Sequence, residues 1–459
     1  MTTQKTLDMT TGPFLKKIIL FSLPIVLSGL LQILFNAADT VVVGQFSSDG
    51  DFAVSAVGST GALINTMIAL AMGLSNGASV IVAQNVGAKN SQAVKKTVHT
   101  AMLLSVILGF VIGAIGFFSS EAILRIMHTP DEVLPLASIY VKIYFAGLPV
   151  QLIYNFGSSI LRAIGDTTRP LAYLGISGVL NVGLNLIFVA VLDLSVAGVA
   201  LATVISQCVS AVMVVIYMRK QDNDCRLYLK KLTIDKRALM QTLYIGVPAG
   251  VQGMIFSVSN IIMQSTINSF GALAMSGSAA ASSVANFIYI PMNSIHHAAT
   301  SFIGQNTGAK KLKQVKKLSY MLLAVVTVTA VALSAVIIGF GKTFIGFYTD
   351  TPEAVKYGMI HLAVMGAPYF ICGIMDVIVG CIRGMGTSLS PMLVSIFGVC
   401  GIRLIWLWGI FPFVRNVVAD EYTQYAILFL SYAISWSVTF LCQMAIWNKT
   451  YKRLVKNYT

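Results

Sequence analysis

Gln84-Asn85-Val86-Gly87-Ala88-Lys89 returns as Gln305-Asn306-Thr307-Gly308-Ala309-Lys310, 221 residues further along a chain of 459. The same offset carries Lys95-Lys96 onto Lys316-Lys317, Asn65 onto Asn286, Arg162 onto Arg383, Gly165 onto Gly386 and Pro170 onto Pro391. Nearby offsets carry Thr129-Pro130 onto Thr351-Pro352, Gly147-Leu148-Pro149 onto Gly366-Ala367-Pro368, and Pro24 onto Pro248. The matches fall at predicted helix ends, at kink residues and inside apolar runs. A duplicated apolar chain suggests two similar halves around a shared pathway, the plan of many secondary transporters.

Composition names the solvent. Hydrophobic residues make up 56% of the chain and charged residues 10%, against roughly 25% charged in a soluble protein. So much apolar surface calls for lipid. The first apolar run, from Phe14, is too long for a signal-peptide core and no small-residue cleavage site follows it. The six cysteines (208, 225, 372, 381, 400 and 442) form no CxxC or Cys/His pattern and read as buried thiols.

A membrane-spanning helix needs about 20 apolar residues. Twelve such runs are predicted, at 14–44, 53–83, 94–118, 133–161, 169–191, 195–218, 238–268, 273–304, 314–340, 354–382, 389–413 and 421–448. The fold class predicted is therefore all-α integral membrane: a tail (1–13), an N-lobe of six spans (14–218), a basic linker (219–237), a C-lobe of six (238–448) and a C-terminal tail (449–459). With the N-terminus in the cytoplasm, the cytoplasmic segments hold 25 of the 31 Lys and Arg, from Lys5, Lys16 and Lys17 through the seven in 219–237 to the four in the tail. The other side holds about five: Arg125, Lys142, Lys342, Lys356 and Arg415. This bias puts both termini in the cytoplasm. An even span number per half gives both halves one orientation, so a pseudo-twofold axis along the membrane normal is expected. The net charge of +14 sits in short loops rather than on one face, which argues against a nucleic-acid partner. The linker reads as a solvated segment beside anionic headgroups. The glycine pairs Gly73/Gly77, Gly109/Gly113, Gly246/Gly250 and Gly380/Gly384 allow close helix packing, and Pro24, Pro149, Pro248, Pro291 and Pro368 bend helices.

Of the 17 acids, Asp39 in the first span and Asp376 in the tenth lie deep in apolar runs. A carboxylate there is costly and needs a proton, a cation or a fixed positive partner. Gln32, Asn36 and Asp39 share a helix face, Asn181 and Asn185 lie one turn apart, and Thr203 opens a polar patch with Ser206 and Gln207. None has a nearby Lys or Arg in its own span. An acid among amides and hydroxyls suits a proton or a small hard cation such as Na⁺. In the second half Asn260 aligns with Asn36 but Met263 with Asp39. There Asp376 and Arg403, in consecutive spans, are expected to meet in a buried salt bridge, with a substrate or proton role for Asp376 as the lesser reading. His296-His297 point about 100° apart on a helix, so at most one faces a pathway. No Walker sequence, catalytic set or metal cluster is recognisable, and neither enzyme activity nor a cofactor is expected.

These residues resemble the multidrug and toxic compound extrusion (MATE) family over about 14–450. The carrying motifs are Pro24 followed by Asp39-Thr40-xxx-Gly44, the two Gln-Asn-x-Gly-Ala-Lys stretches, Arg162-Ala-Ile-Gly165-Asp166 against Arg383-Gly-Met-Gly386-Thr387, and Asn181xxxAsn185. The resemblance implies a monomeric multi-pass exporter of the bacterial cell membrane, with two six-helix lobes around a V-shaped cavity. It would couple inward Na⁺ or H⁺ flow to efflux of an organic, cationic, amphiphilic substrate. By the same resemblance Asp39, Asn181, Asn185 and Thr203 form the ion site, to which Asn36 is added from its shared face with Asp39. Gln32, Asn65, Gln252, Asn260, Asn286, Asp376 and Arg403 are the substrate-cavity candidates. One family branch has a glutamate in span seven, where this chain has Phe256 and Ser257 with Gln252 one turn earlier; another has an acid at Asn185. A lipid-linked precursor flippase, which should carry more cavity cations and further spans, is the first alternative, and a non-transporting receptor or scaffold the second.

Overall fold

In the computed structural model, which describes residues 7–47, 49–127 and 129–458, helices account for nearly the whole chain. The first half runs α1 (Phe14–Phe46), α2 (Gly50–Gly87), α3 (Ser91–Ile126), α4 (Leu134–Ala146), α5 (Leu148–Ala163), α6 (Thr168–Asn185) and α7 (Ser195–Lys220). The second runs α8 (Lys236–Asn268), α9 (Ala272–Gly308), α10 (Leu312–Gly339), the short α11 (Gly341–Gly346), α12 (Pro352–Gly366), α13 (Tyr369–Gly384), α14 (Leu389–Ser395), α15 (Ile402–Ile405), α16 (Phe411–Val417) and α17 (Glu421–Tyr458). Among the described residues ten helices are long and apolar enough to cross a membrane, and the bent pairs α4–α5 and α12–α13 bring the count to as many as twelve. All twelve predicted runs are helical. Lys5 lies outside the described residues.

The repeat is visible in the backbone. The bent pairs turn by 48° and 47° at Gly147-Leu148-Pro149 and Gly366-Ala367-Pro368, where proline removes a backbone donor. Gly165 and Gly386 both take φ +91°, a conformation that favours glycine. The duplicated hexapeptide is a helix stop. Lys89 and Lys310 adopt φ 53° and 56°, and the next residues bond back five positions, Asn90 N to Asn85 O at 3.0 Å and Lys311 N to Asn306 O at 2.9 Å. This is the Schellman arrangement, built on lysine where glycine is usual.

The chain forms two compact units. Unit 1 is the segment ending at Asp8 with Leu23–Gly250; unit 2 is Met9–Ser22 with Val251–Thr459. The division between the units falls inside α8, two residues past Pro248, and a second falls just before Pro24. The glycines explain the first. A Cβ on Gly73 or Gly77 of α2 would collide with the backbone of Ala249 and Gly250 or of Thr242 and Gly246, so the opening of α8 packs backbone-to-backbone within unit 1. The second follows from Met9, Ile18 and Phe21, all at most 1% exposed: Phe21 stacks edge-on against Phe302, and Asn306 Nδ2 donates to Met9 O at 2.9 Å. The other two glycine pairs are also crossings, Gly109 and Gly113 against Pro149 and Phe145, and Gly380 and Gly384 against His296, Ile303 and Gly304.

The linker is less solvated than its composition suggests. Asp224 takes bonds from Ser91 Oγ and Lys95 Nζ, and Asp235 pairs with Lys96 at 3.0 Å. Tyr228 N–H donates to His99 Nε2 at 3.1 Å while His99 Nδ1 lies 2.7 Å from Lys95 O; a ring accepting at Nε2 and donating at Nδ1 is neutral. Cys225 and Leu227 are 2% exposed. The segment is therefore clamped along the start of α3. All six cysteines are free; Cys442, expected buried, is exposed.

Candidate functional site

Unit 1 gathers the polar residues of three spans at one point. Asn185 Nδ2 donates to Asp39 Oδ1 at 2.5 Å and lies 3.4 Å from Asn181 Oδ1; Asn181 Nδ2 donates to Thr203 Oγ1 at 3.3 Å. Asn181 is 6% exposed and Asn185 fully buried. A cavity of about 60 Å³ opens here, lined by Gln32, Asn36, Asp39, Ser177, Asn181, Thr203, Ser206 and Gln207 with Phe35, Leu174 and Gly178. That volume admits a water or a small cation. Asn185 Oδ1, Ser206 Oγ and Gln207 Oε1 are buried with no hydrogen-bond partner, and sealed orphan oxygens are uncommon. No Lys or Arg pairs with Asp39 among the described residues. The donor set, a carboxylate with amide and hydroxyl oxygens, fits a hard cation or a shared proton.

Local structure makes this meeting possible. A Cβ on Gly178 would overlap the Phe35 ring, so the missing side chain lets α6 approach α1 and brings Asn181 and Asn185 toward Asp39. A π turn, Leu186–Val191, begins directly after Asn185; such turns concentrate at functional sites. Ser177 and Gly178 carry no sequence signal of their own. Gln32 and Asn36 line the cavity without bonding Asp39. Asn65 and Asn286 are exposed on α2 and α9 and stand apart from this cavity's lining.

In unit 2 the expected Asp376–Arg403 pair is absent. Asp376 faces His296, whose Nδ1 lies 3.5 Å from Asp376 Oδ1 and 2.8 Å from its backbone oxygen. Arg403 turns toward α17, with its guanidinium 3.9 Å from the centre of the Tyr432 ring, Nε 3.4 Å from Ser435 Oγ and Nη1 3.4 Å from Asn260 Oδ1. Rotation about the helix axes, which spacing cannot supply, separates the two. Gln252 accepts from Arg383 Nη2 at 2.9 Å, so an arginine already occupies the polar position of span seven.

Fold and site together define a helical, multi-pass membrane protein of duplicated design with a polar pocket around Asp39 in its first unit. The MatE family profile matches residues 24–187 and 248–408, once per repeat, and the chain belongs to that family of membrane transporters. It is 30% identical over 392 residues to the probable multidrug resistance protein YpnP of Bacillus subtilis (strain 168), covering 85% of this chain and 87% of that one. It is 24% identical over 389 residues to the multidrug export protein MepA of Staphylococcus aureus (strain NCTC 8325 / PS 47), covering 84% and 85%. Among solved structures, an outward-facing multidrug resistance MATE family transporter aligns with a TM-score of 0.88 at 21% identity, covering 99% of this chain and all of that one; that likeness establishes the fold.

Proposed function

We propose that this chain is a cation-coupled multidrug antiporter that exports organic, cationic, amphiphilic compounds, with Na⁺ or H⁺ as the coupling ion. The observation that carries the reading is Asp39: a membrane-embedded carboxylate without a fixed countercharge, bonded to Asn185 beside buried oxygens that lack partners. A mobile cation or a proton supplies the missing charge. The name of the relative MepA, a multidrug export protein, supports drug export as the activity.

Alternating access follows if ion and substrate prefer different states, because coupling is a difference in affinity between conformations. The ion enters from outside, neutralises Asp39, and favours the state that releases substrate outward. The charge bias of the loops supports cytoplasmic termini. The twelve-span count and the single mid-span Arg403 favour this reading over a precursor flippase.

The test is flux in proteoliposomes under imposed Na⁺ or H⁺ gradients. Only one gradient should drive export in the wild type, and Asp39→Asn should reduce driven export to the level of protein-free vesicles. Undiminished driven export by Asp39→Asn would remove the coupling assignment.

A further inference from the structure

Arg403 is a buried charge that the exporter reading leaves unused. It is 5% exposed, and among the described residues no carboxylate pairs with it. Its bonds to Ser435 and Asn260 are both 3.4 Å, at the weak end of the range, and both go to neutral oxygens. Among the described residues Nη2 makes no hydrogen bond, and it is not one of their sealed unpartnered polar atoms. The flat face of the guanidinium rests on Tyr432, with Trp436 at 5.8 Å. Asp376, the acid of the preceding span in this unit, is turned to His296.

A buried cation held only by neutral acceptors and an aromatic face is under-compensated. Asp39 presents the same condition with the opposite sign. The helix is irregular on both sides of Arg403: π turns at Ile396–Gly401 and Trp406–Ile410 flank the single turn of α15, and they set the side chain among α8 and α17 rather than toward α13. A guanidinium stacked on a ring presents its edge, and that edge is a planar fork matched to a carboxylate.

We propose that Arg403 is the centre of an oxyanion subsite in unit 2 that takes the carboxylate of an amphiphilic organic ligand, with the partly exposed Tyr432 beside its apolar body. Asn260 Oδ1 and Ser435 Oγ hold the guanidinium until the ligand arrives. The proposal rests on the exporter reading only in supposing that unit 2 meets a substrate, and it extends the substrate class to amphiphiles that bear a carboxylate.

The experiment is equilibrium binding to the full-length protein in phosphatidylcholine nanodiscs, with empty nanodiscs subtracted. The probes are 11-(dansylamino)undecanoic acid and its methyl ester, which share an apolar body and differ in charge. The wild type should bind the acid at least about tenfold more tightly than the ester, about 1.4 kcal/mol. Arg403→Gln should bring the two together. Equal binding of acid and ester by the wild type, or a preference that survives in Arg403→Gln, overturns the proposal. Should Arg403→Gln fail to fold, Arg403→Lys decides: a point charge without the fork should weaken the preference several-fold, and an unchanged preference overturns it. No ion gradient enters this readout, so a failure of coupled flux and a failure here are separate results.

Discussion

Asn185 Nδ2 donates to Asp39 Oδ1 across the 146 residues that separate them, and the same amide leaves its own Oδ1 buried and unpartnered. The bond orients the carboxylate, and the unpartnered oxygen belongs to the same side-chain amide. Asn185 therefore holds Asp39 and keeps an oxygen without a partner on the same side chain.

Asn185→Leu is expected to weaken the apparent affinity for the coupling ion by about 10–100-fold, since a hydrogen bond to a charged group contributes about 1.5–3 kcal/mol. Thr203→Val, two bonds further along the chain of contacts, should show the smaller effect. Ion dependence of substrate flux measures both. Equal ion dependence in Asn185→Leu and wild type would detach Asn185 from the site.

Gly178→Ala should damage the same site from behind. The added methyl meets the Phe35 ring, and overpacking typically costs about 1–3 kcal/mol. Phe35→Leu should restore part of the loss in the double variant, because it vacates the space. Thermal unfolding in detergent and ion-coupled flux would follow it. Additive losses in the double variant would show that the two residues do not oppose each other.

Lys89 stands in the left-handed conformation at the end of α2, which costs an L-residue roughly 1–2 kcal/mol. Lys89→Gly relieves that strain but adds unfolded-state entropy. A gain of a few tenths to about 1 kcal/mol is expected, read as a higher unfolding temperature. A lower one would mean that the lysine side chain contributes more than its backbone loses.

Asp235 caps α8, accepting from Ala238 N at 3.0 Å, and it pairs with Lys96. The Ala238 N–H first, and then Lys96, hold its carboxyl below the ordinary carboxylate value of 3.8. A depressed folded value means that the contribution is fully present above the unfolded value and fades as pH falls through the folded one. The stability difference between wild type and Asp235→Ala should therefore be constant at neutral pH and shrink below about pH 4. Unfolding measured across that range tests it, and a difference that grows on acidification would contradict the assignment.

Much of the site is legible in the sequence. An acid inside an apolar run stands out by its solvation cost, and amides spaced one turn apart declare a shared face, so Asp39, Asn181, Asn185 and Thr203 group together. Gly178 does not join them, because a missing side chain gives no signal until its neighbour is known. Asp376 and Arg403 match in charge and adjacency, but helix rotation sends one to His296 and the other to Tyr432. The linker reads as free because its charges suit water, while the bonds from His99 and Thr100 that hold it come from residues more than 120 positions away.

By itself the sequence determined the lipid solvent, the twelve apolar runs, the duplicated frame and the stops that end its helices, since each depends on residues close together in the chain. Only the tertiary structure decided which charges meet, where the units divide and which oxygens stay without partners. Those outcomes depend on helix rotation and on how closely two backbones can approach, and spacing along the chain carries neither.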